Sequence, residues 1–303
     1  MKVGKFNLPD ELPDQFKPSG DRVLIMDGDA ACYEASSKYV KLDTAVRCVH
    51  MKILEAMFLT NCKKARVHIT PAGCKKAGRG NLIGIKPYQG NRKNKEKPPL
   101  LEALRQNIQG LLKDKNIDVF AHYDIEADDA VVQDSYYYGS DGLVYSPDKD
   151  LRMVINPYYD LNTGRVLTAS NRLGDIVLAS TSSGLRHPEG HGLKFFWWQM
   201  LMGDTADNVR GLDKYQGKNI GMVKSYEILN PIKNELEVAT KVLSMYREID
   251  QNPLPEAYAL WLLRSPADSF MAYLKELIPG LPEDLVEWLR ECFKRKWIKS
   301  EED

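Results

Sequence analysis

The feature that most constrains the fold is a strand–helix–strand pattern near the N-terminus. Val23–Met26 is a short apolar run that ends at Asp27 and Gly28. A helical pattern with an apolar side follows over about 44–59, and residues 66–70 read as a second strand. Two buried strands joined by a helix pair in parallel through a crossover connection. A parallel sheet presents the carboxyl ends of its strands to a ligand, and Asp27 lies at such an end.

Later patterns extend this unit into an α/β fold. The alternation predicts a mostly parallel central sheet, in an α/β domain over residues 22–200, with a polar arm at 1–21 and a helical region at 201–303. Asn162–Gly164 predicts a hairpin whose arms are 152–155 and 165–168. The other predicted elements are a helix at 100–113, a strand at 119–122, a helix at 126–139, a strand at 143–146, an apolar helical stripe at 193–201 that includes Trp197, and helices near 221–229, 232–248, 255–264, 268–277 and 282–297, in a region that reads as wholly helical from about residue 204. Trp197 and Trp198 are predicted to be core residues rather than a base-stacking platform.

Carboxylates collect in four short groups, each where a strand or an apolar helix gives way to a loop. Each group alone has an ordinary explanation as a turn, a helix start or a cap. Together they predict a pocket of oxygen ligands for hard divalent cations, which is the usual equipment for hydrolysing phosphodiesters. An extended chain would point Asp148 and Asp150 to the same side. The groups are Asp27 with Asp29, Glu126 with Asp128 and Asp129, Asp148 with Asp150, and Asp204 with Asp207.

Charge and cysteine content narrow the class of protein. The formal net charge is zero, but residues 75–97 carry eight basic side chains against the single acid Glu96. A basic segment beside an acidic pocket is expected of a metal-dependent enzyme that acts on a polyanion. The five cysteines form no C-x-x-C pair, the N-terminus lacks the apolar core of a signal peptide, and no apolar run could cross a membrane. These features predict a cytoplasmic protein with reduced thiols and no membrane partner.

The order of the motifs MDGD, YQGNRK, EADD, SPDKD and MGDTADNVRG resembles that of the 5′-nuclease family. This family includes phage flap endonucleases, 5′→3′ exonucleases and the 5′-nuclease domain of bacterial DNA polymerase I. The resemblance runs from about residue 22 to about residue 230. It implies a PIN-like α/β domain crossed by a basic arch, at about 75–115 here, and a helix–three-turn–helix element that grips duplex DNA.

The resemblance also implies the site and its partners. Two Mg²⁺ or Mn²⁺ ions are expected, with Asp27, Glu126, Asp128, Asp148, Asp150, Asp204 and Asp207 as ligands and Asp27, Asp129, Arg92 and Lys93 as catalytic residues. Arg92 would contact the scissile or adjacent phosphate, and Tyr88 would stack on a base. A K⁺ ion in the Gly-rich hairpin at 211–221 is implied as well. The expected substrate is DNA with 5′ ends or flaps, with RNA–DNA hybrids as a further substrate, and the chain would act as a monomer in the cytoplasm, which is the host's if a phage encodes it. The DNA-binding residues would be Lys86, Tyr88, Arg92, Arg210, Lys214, Lys218 and Lys224.

Two departures from the family pattern keep alternatives open. The stretch after the second strand has Pro71 where the family usually has an Asp, and Gln89 stands where a Lys usually follows the Tyr. Lys86 or Lys93 would then supply the missing charge. The main alternative is a structure-specific DNA-binding protein with weak or no catalysis. A PIN-type ribonuclease is disfavoured by the Gly-rich hairpin, and a phosphate-monoester hydrolase by the residues after Asp29.

Overall fold

The structure, a computed structural model, describes residues 2–3, 6–7, 22–93, 95–181 and 183–299. The predicted polar arm at 1–21 lies outside the described residues, apart from two short strands. These strands, β1 (Lys2–Val3) and β2 (Phe6–Asn7), pair antiparallel. None of the described helices is both long and apolar enough to cross a bilayer.

The chain divides into two compact units, and neither is a continuous stretch of sequence. The first, here called the sheet unit, comprises residues 1–74, 97–148 and 156–168. The second, the helical unit, comprises residues 75–96, 149–155 and 169–303. Most of the basic segment therefore belongs to the helical unit.

The sheet unit contains a six-stranded sheet in the order β5-β4-β3-β6-β7-β8. All neighbouring strands are parallel except β7 and β8, which form an antiparallel hairpin. The carboxyl ends of the central strands thus share one edge, as the strand–helix–strand pattern predicts. The strands are β3 (Val23–Asp27), β4 (Lys64–Ile69), β5 (Ile117–Ala121), β6 (Gly142–Tyr145), β7 (Tyr158–Asp160) and β8 (Arg165–Leu167).

Helices pack against this sheet through apolar faces at helical spacing. Val49 and Ile53 of α2 and Leu104 of α3 are fully buried in a cluster with Leu24 and Val67 of the sheet. Burying a side chain of this size stabilises the fold by about 1.5–3 kcal/mol. The helices are α1 (Asp29–Lys38), α2 (Leu42–Thr60), α3 (Leu101–Leu111) and α4 (Ala127–Tyr138).

The helical unit has a core of aromatic side chains around α5. Trp197 and Trp198 are fully buried, which confirms their prediction as core residues. Each indole N–H has a partner: Trp197 donates to the Tyr273 hydroxyl at 3.1 Å, and Trp198 to the Ser225 hydroxyl at 2.7 Å. The elements are β9 (Asp175–Ser180), β10 (Arg186–His191), α5 (Leu193–Met202), β11 (Lys214–Tyr215), β12 (Lys218–Asn219), α6 (Met222–Leu229), α7 (Glu235–Glu248), α8 (Leu254–Leu260), α9 (Phe270–Leu277) and α10 (Glu283–Lys294).

The predicted α/β class and mostly parallel sheet are confirmed, and three local predictions are corrected. The first arm of the predicted hairpin is wrong, because β7 rather than 152–155 pairs with β8. The region after residue 204 is not wholly helical, because β11 and β12 pair within it. The chain does not stay extended from Asp148 to Asp150, because a short 3-10 helix spans Lys149–Met153.

Candidate active site

The first acidic group lies where the central strand meets α1. Asp27 ends β3, opposite His68 of β4, and Asp29 begins α1. A Cβ at Gly28 would come within 2.4 Å of the Ile69 side chain and 2.7 Å of the Val67 side chain, so any other residue between the two aspartates would force these side chains to move. The Asp29 backbone amide donates to Asp27 Oδ1 at 2.9 Å. This turn fixes both carboxylates at the carboxyl edge of the sheet.

The second group opens α4 and contains two kinds of carboxylate. Glu126 and Asp129 form a capping box, in which each side chain accepts from the other residue's backbone amide. Asp129 is fully buried, so its contacts are those of a helix cap. Asp128 differs, because none of the residues that the structure describes donates a hydrogen bond to its carboxylate. It instead interacts electrostatically with Asp27, Asp29, Glu126 and Asp148.

Ser146 links the third group to the first. Its hydroxyl lies 3.5 Å from Asp27 Oδ2 and accepts the Asp148 backbone amide at 3.0 Å. Asp148 contributes to the electrostatics of both Asp27 and Asp128. The sheet unit therefore brings together acids from three of the four sequence groups.

Burial and mutual repulsion weaken the acidity of this cluster. Burial, together with the charges of Asp29 and Asp148, raises the pKa of Asp27 to about 7, against the opposing effects of the Asp29 backbone amide and of Arg105. Burial and the charges of Asp27 and Asp148 raise the pKa of Asp128 well above its usual value. Carboxylates held this close need a compensating positive charge.

Two residues at this edge were missed from sequence. Arg105 of α3 places its guanidinium Nε 3.0 Å from Asp29 Oδ1. Thr70, just after β4, donates its backbone amide to the same Asp29 oxygen at 3.0 Å, and its hydroxyl accepts the Ala127 amide at 2.8 Å. An arginine inside a helical pattern carries no sequence signal of such a role.

The sheet-unit acids suit a hard cation by their chemistry and their charge. Among the described residues, no three His, Cys, Asp or Glu side chains are arranged to ligate one metal ion directly. Mg²⁺ keeps several water ligands and takes only one or two carboxylates, so this spacing is compatible with an ion held partly through water. Asp27, Glu126, Asp128 and Asp148 are the side chains that would hold it.

The helical unit contains the other predicted acids, and basic or amide groups already contact them. Lys149 Nζ lies 2.7 Å from Asp150 Oδ1 and 2.7 Å from Asp204 Oδ2. Gln199 also donates to Asp150 Oδ1, at 2.6 Å, and the Ala206 amide donates to Asp204 Oδ1 at 2.7 Å. Burial acts against the charge of each group, but the attraction prevails: the pKa of Lys149 is raised and that of Asp204 is lowered.

Asp207 is bound by the basic segment. Its Oδ1 accepts from Arg92 at 2.6 Å and from the Gln89 amide at 2.9 Å, and its Oδ2 accepts from the Tyr88 hydroxyl at 3.2 Å. Lys76 in turn donates to the Gln89 side-chain oxygen. The structure thus places Arg92, predicted to contact a phosphate, on a carboxylate of its own unit.

The remaining predicted DNA-binding residues lie apart from these contacts. Lys86 and Lys93 are exposed, as are Lys214 and Lys218 on the predicted Gly-rich hairpin. Lys224 pairs with Glu227 on the surface of α6 at 3.2 Å. Arg210 is engaged locally, donating to Asp213 at 3.1 Å and to Asn219 at 2.5 Å.

A buried carboxylate that the sequence analysis overlooked joins the basic segment to that hairpin. Glu256 of α8 is 3% exposed. Its two oxygens accept the backbone amides of Ile85 and Gly211, each at 3.2 Å. Burial raises its pKa, and these amide donors oppose the shift.

A mostly parallel sheet with acids at its carboxyl edge, together with a helical unit carrying a Gly-rich hairpin, defines an α/β fold of the 5′-nuclease type. Comparison with solved structures confirms this fold. The T5 D15 protein co-crystallized with metal ions matches with a TM-score of 0.52 and 16% identity, over 90% of this chain and 98% of that chain. A mutant of the T5 5′-exonuclease matches with a TM-score of 0.50 and 13% identity, over 91% and 99%.

A third structure, the bacteriophage T5 D15 flap endonuclease as a pseudo-enzyme–product complex with DNA and metal ions, has a TM-score of 0.49 and 17% identity, over 90% of this chain and 98% of that chain. No protein-family model and no curated protein matches the sequence. At these identities the likeness concerns the fold, and the activity must be argued from the site.

Proposed function

We propose that this protein is a metal-dependent nuclease that hydrolyses phosphodiester bonds in DNA, from 5′ ends or at flaps. The observation that carries the proposal is Asp128, a carboxylate that interacts with four other carboxylates and receives no hydrogen bond from the described residues. Such a cluster is costly unless a cation joins it, and hard oxygen ligands select Mg²⁺ or Mn²⁺. The fold shared with the T5 5′-exonuclease and with the metal-bound T5 D15 protein supports the same activity.

The residues of the sheet unit have distinct roles in this proposal. Asp27, Glu126, Asp128 and Asp148 hold the cation, which when bound supplies an activated water and charge stabilisation at the phosphate. Thr70 and Arg105 orient Asp29 through contacts of 3.0 Å each, and so fix the turn that carries Asp27. Ser146 orients Asp148 through its backbone amide.

Basic and aromatic side chains of the helical unit would bind the nucleic acid. Arg92, Lys93 and Lys86 supply positive charge for the strand near its 5′ end, and Tyr88 offers a ring for a base to stack on. Lys214, Lys218 and Lys224 would contact backbone phosphates of a duplex, with Arg210 holding the hairpin through Asp213. By its resemblance this hairpin would also be the place for a K⁺ ion. RNA–DNA hybrids are a further proposed substrate, and a monomer is the proposed form.

A mechanism with two metal ions needs a second ion in the helical unit, whose carboxylates suit an ion less well than those of the sheet unit. It would assign Asp150, Asp204 and Asp207 to a second ion. Each of these carboxylates already has basic or amide donors within 2.9 Å. The proposed function therefore rests on the ion held by the sheet-unit carboxylates.

A DNA-binding protein with weak or no catalysis is the second candidate. It is favoured by the stretch after β4, where Thr70 and the buried Pro71 replace the carboxylate expected from the resemblance. Catalysis and binding are separable by experiment.

The test uses 5′-labelled and 3′-labelled flap and blunt duplexes with Mg²⁺, Mn²⁺ or EDTA. Asp128→Asn and Asp148→Asn are compared with Asp118→Asn, which changes an exposed acid on β5. We expect short 5′ products that need metal, are lost at least about a hundredfold in the first two variants, and persist in the control. DNA binding without cleavage products under either metal would overturn the proposed nuclease activity. The DNA-binding protein would then be the function that remains.

A further inference from the structure

Lys149 bridges two carboxylates that converge from different parts of the helical unit. Its ammonium lies 2.7 Å from Asp150 Oδ1 and 2.7 Å from Asp204 Oδ2. The Asp204 side chain is 1% exposed, and that of Asp150 18%. The ammonium thus takes the position of a bridging cation between two nearly buried acids, rather than forming one surface ion pair.

The surroundings of the pair complete this arrangement. Gln199 of α5 is 1% exposed. Its side-chain amide donates to Asp150 Oδ1 at 2.6 Å. The turn after α5 donates the Ala206 amide to the second Asp204 oxygen at 2.7 Å. Each acid therefore has a neutral donor as well as a share of the ammonium charge.

The carboxylates of the sheet unit differ from the Asp150–Asp204 pair in how far the chain itself compensates their charge. There Asp128 interacts with four carboxylates and has no donor among the described residues. Here a cation built into the chain already compensates Asp150 and Asp204. A divalent ion entering between them would have to displace Lys149 from both carboxylates or lie beside its positive charge, and like charges at that distance repel each other.

We propose that Lys149 is a covalently tethered substitute for a metal ion at the Asp150–Asp204 pair, so that the protein binds one divalent cation rather than two. The single cation is the one held by the sheet-unit carboxylates, and in that respect the inference rests on the proposed function. Lys149 follows Asp148 and precedes Asp150 in the sequence. The segment 148–150 therefore supplies both Asp148, a ligand for the proposed ion, and Lys149, the side chain that replaces a second ion.

The test counts Mn²⁺ ions bound per chain, by electron paramagnetic resonance of the free ion and by calorimetric titration. We expect one ion in the wild type. Lys149→Met, which keeps the length of the side chain without its charge, is expected to bind two, and Lys149→Arg is expected to remain at one. Lys294→Met is the matched control, because Lys294 pairs with a single acid, Glu291, on the surface at 2.7 Å, and it should also remain at one.

Each outcome decides one of the two claims. Two ions in the wild type, or one ion in a folded Lys149→Met variant, would overturn the role of Lys149. No ion in the wild type with one in Lys149→Met would support Lys149 but contradict the sheet-unit site, and with it the proposed function. If Lys149→Met does not fold, the wild-type count of one or two still decides the proposal.

Discussion

The Asp29 carboxylate accepts a hydrogen bond from the Thr70 backbone amide at 3.0 Å, and so ties together the loops that follow two neighbouring parallel strands. Arg105 contacts the same oxygen from α3, also at 3.0 Å. The acid that follows Asp27 by two residues thus acts as a brace for the edge where the other acids gather.

Adjacent acids at the start of α4 should respond oppositely to substitution. Asp128→Asn removes a charge that interacts with four carboxylates, so we expect metal-free protein to become more stable by about 1 kcal/mol, a rise in melting temperature of about 2–4 °C. Asp129→Ala removes half of the capping box and should lower stability by about 1 kcal/mol. Calorimetry in EDTA measures both. Equal signs for the two variants would contradict the assignment of Asp128 to the repelling cluster.

Glu256 should be essential for the stability of the helical unit. Glu256→Ala leaves the backbone amides of Ile85 and Gly211 without their acceptor, and we expect a loss of about 2–4 kcal/mol in the free energy of unfolding. Urea denaturation measures this loss. Glu287→Ala, at an exposed position of α10, is the control and should change stability by less than about 0.5 kcal/mol.

His122 should make stability depend on pH. Burial and the adjacent His68 ring, whose Nδ1 lies 2.9 Å from His122 Nε2, lower the pKa of His122 from 6.5 to about 4. Between these values the unfolded chain binds a proton that the folded chain does not. Stability is therefore present above about pH 6.5 and lost as the pH falls towards 4.

The size of this effect is at most about 3 kcal/mol, reduced because the His122 ring is only partly buried. Urea denaturation from pH 7 to pH 4 measures it. His122→Asn should flatten the part of the slope due to this residue, and an unchanged slope would refute the assignment. The comparison with the variant is needed because the acidic cluster titrates in the same range.

Lys76 should supply the charge that Gln89 lacks. Its ammonium contacts the Gln89 amide oxygen, and Gln89 donates to Asp207 at 2.9 Å, whereas Lys86 and Lys93 are exposed. If the chain is a nuclease, Lys76→Ala should lower kcat about tenfold or more at saturating DNA, a larger loss than in Lys86→Ala or Lys93→Ala. Single-turnover cleavage rates of the three variants decide the order. A smaller effect at Lys76 would return the role to one of the exposed lysines.

The sequence predicted the fold well where apolar residues alone define an element. β3, β4 and α2 were recognised because their apolar residues recur at the spacing of buried strands and of an amphipathic helix. The β9–β10 hairpin was missed because it contains Pro188 and Gly190, which disfavour strands. Proline is tolerated there because the hairpin has only two strands, and both are edges. Helix α1 was missed because its apolar residues do not recur at a spacing that would give the helix an apolar side.

The candidate site was predicted in its acids but not in their partners. Carboxylates at the ends of parallel strands follow from topology, so Asp27, Asp128 and Asp148 could be grouped before the fold was known. The roles of Arg105 and Lys149 depend on which side chains meet in three dimensions. A lysine between two aspartates reads as a solvated residue in the sequence, and only the position of Asp204 shows that it bridges two carboxylates.

The strand order imposes a sequence of events on the synthesis of this protein. β3 is paired with β4 on one side and β6 on the other, although β6 begins only at Gly142. Until the ribosome has released that strand, one edge of β3 remains open, and the backbone amide and carbonyl groups on that side lack their β6 partners. Closing a chain segment of this length is slow compared with local pairing. The nascent chain is therefore most exposed to aggregation while the residues between β3 and β6 are being made.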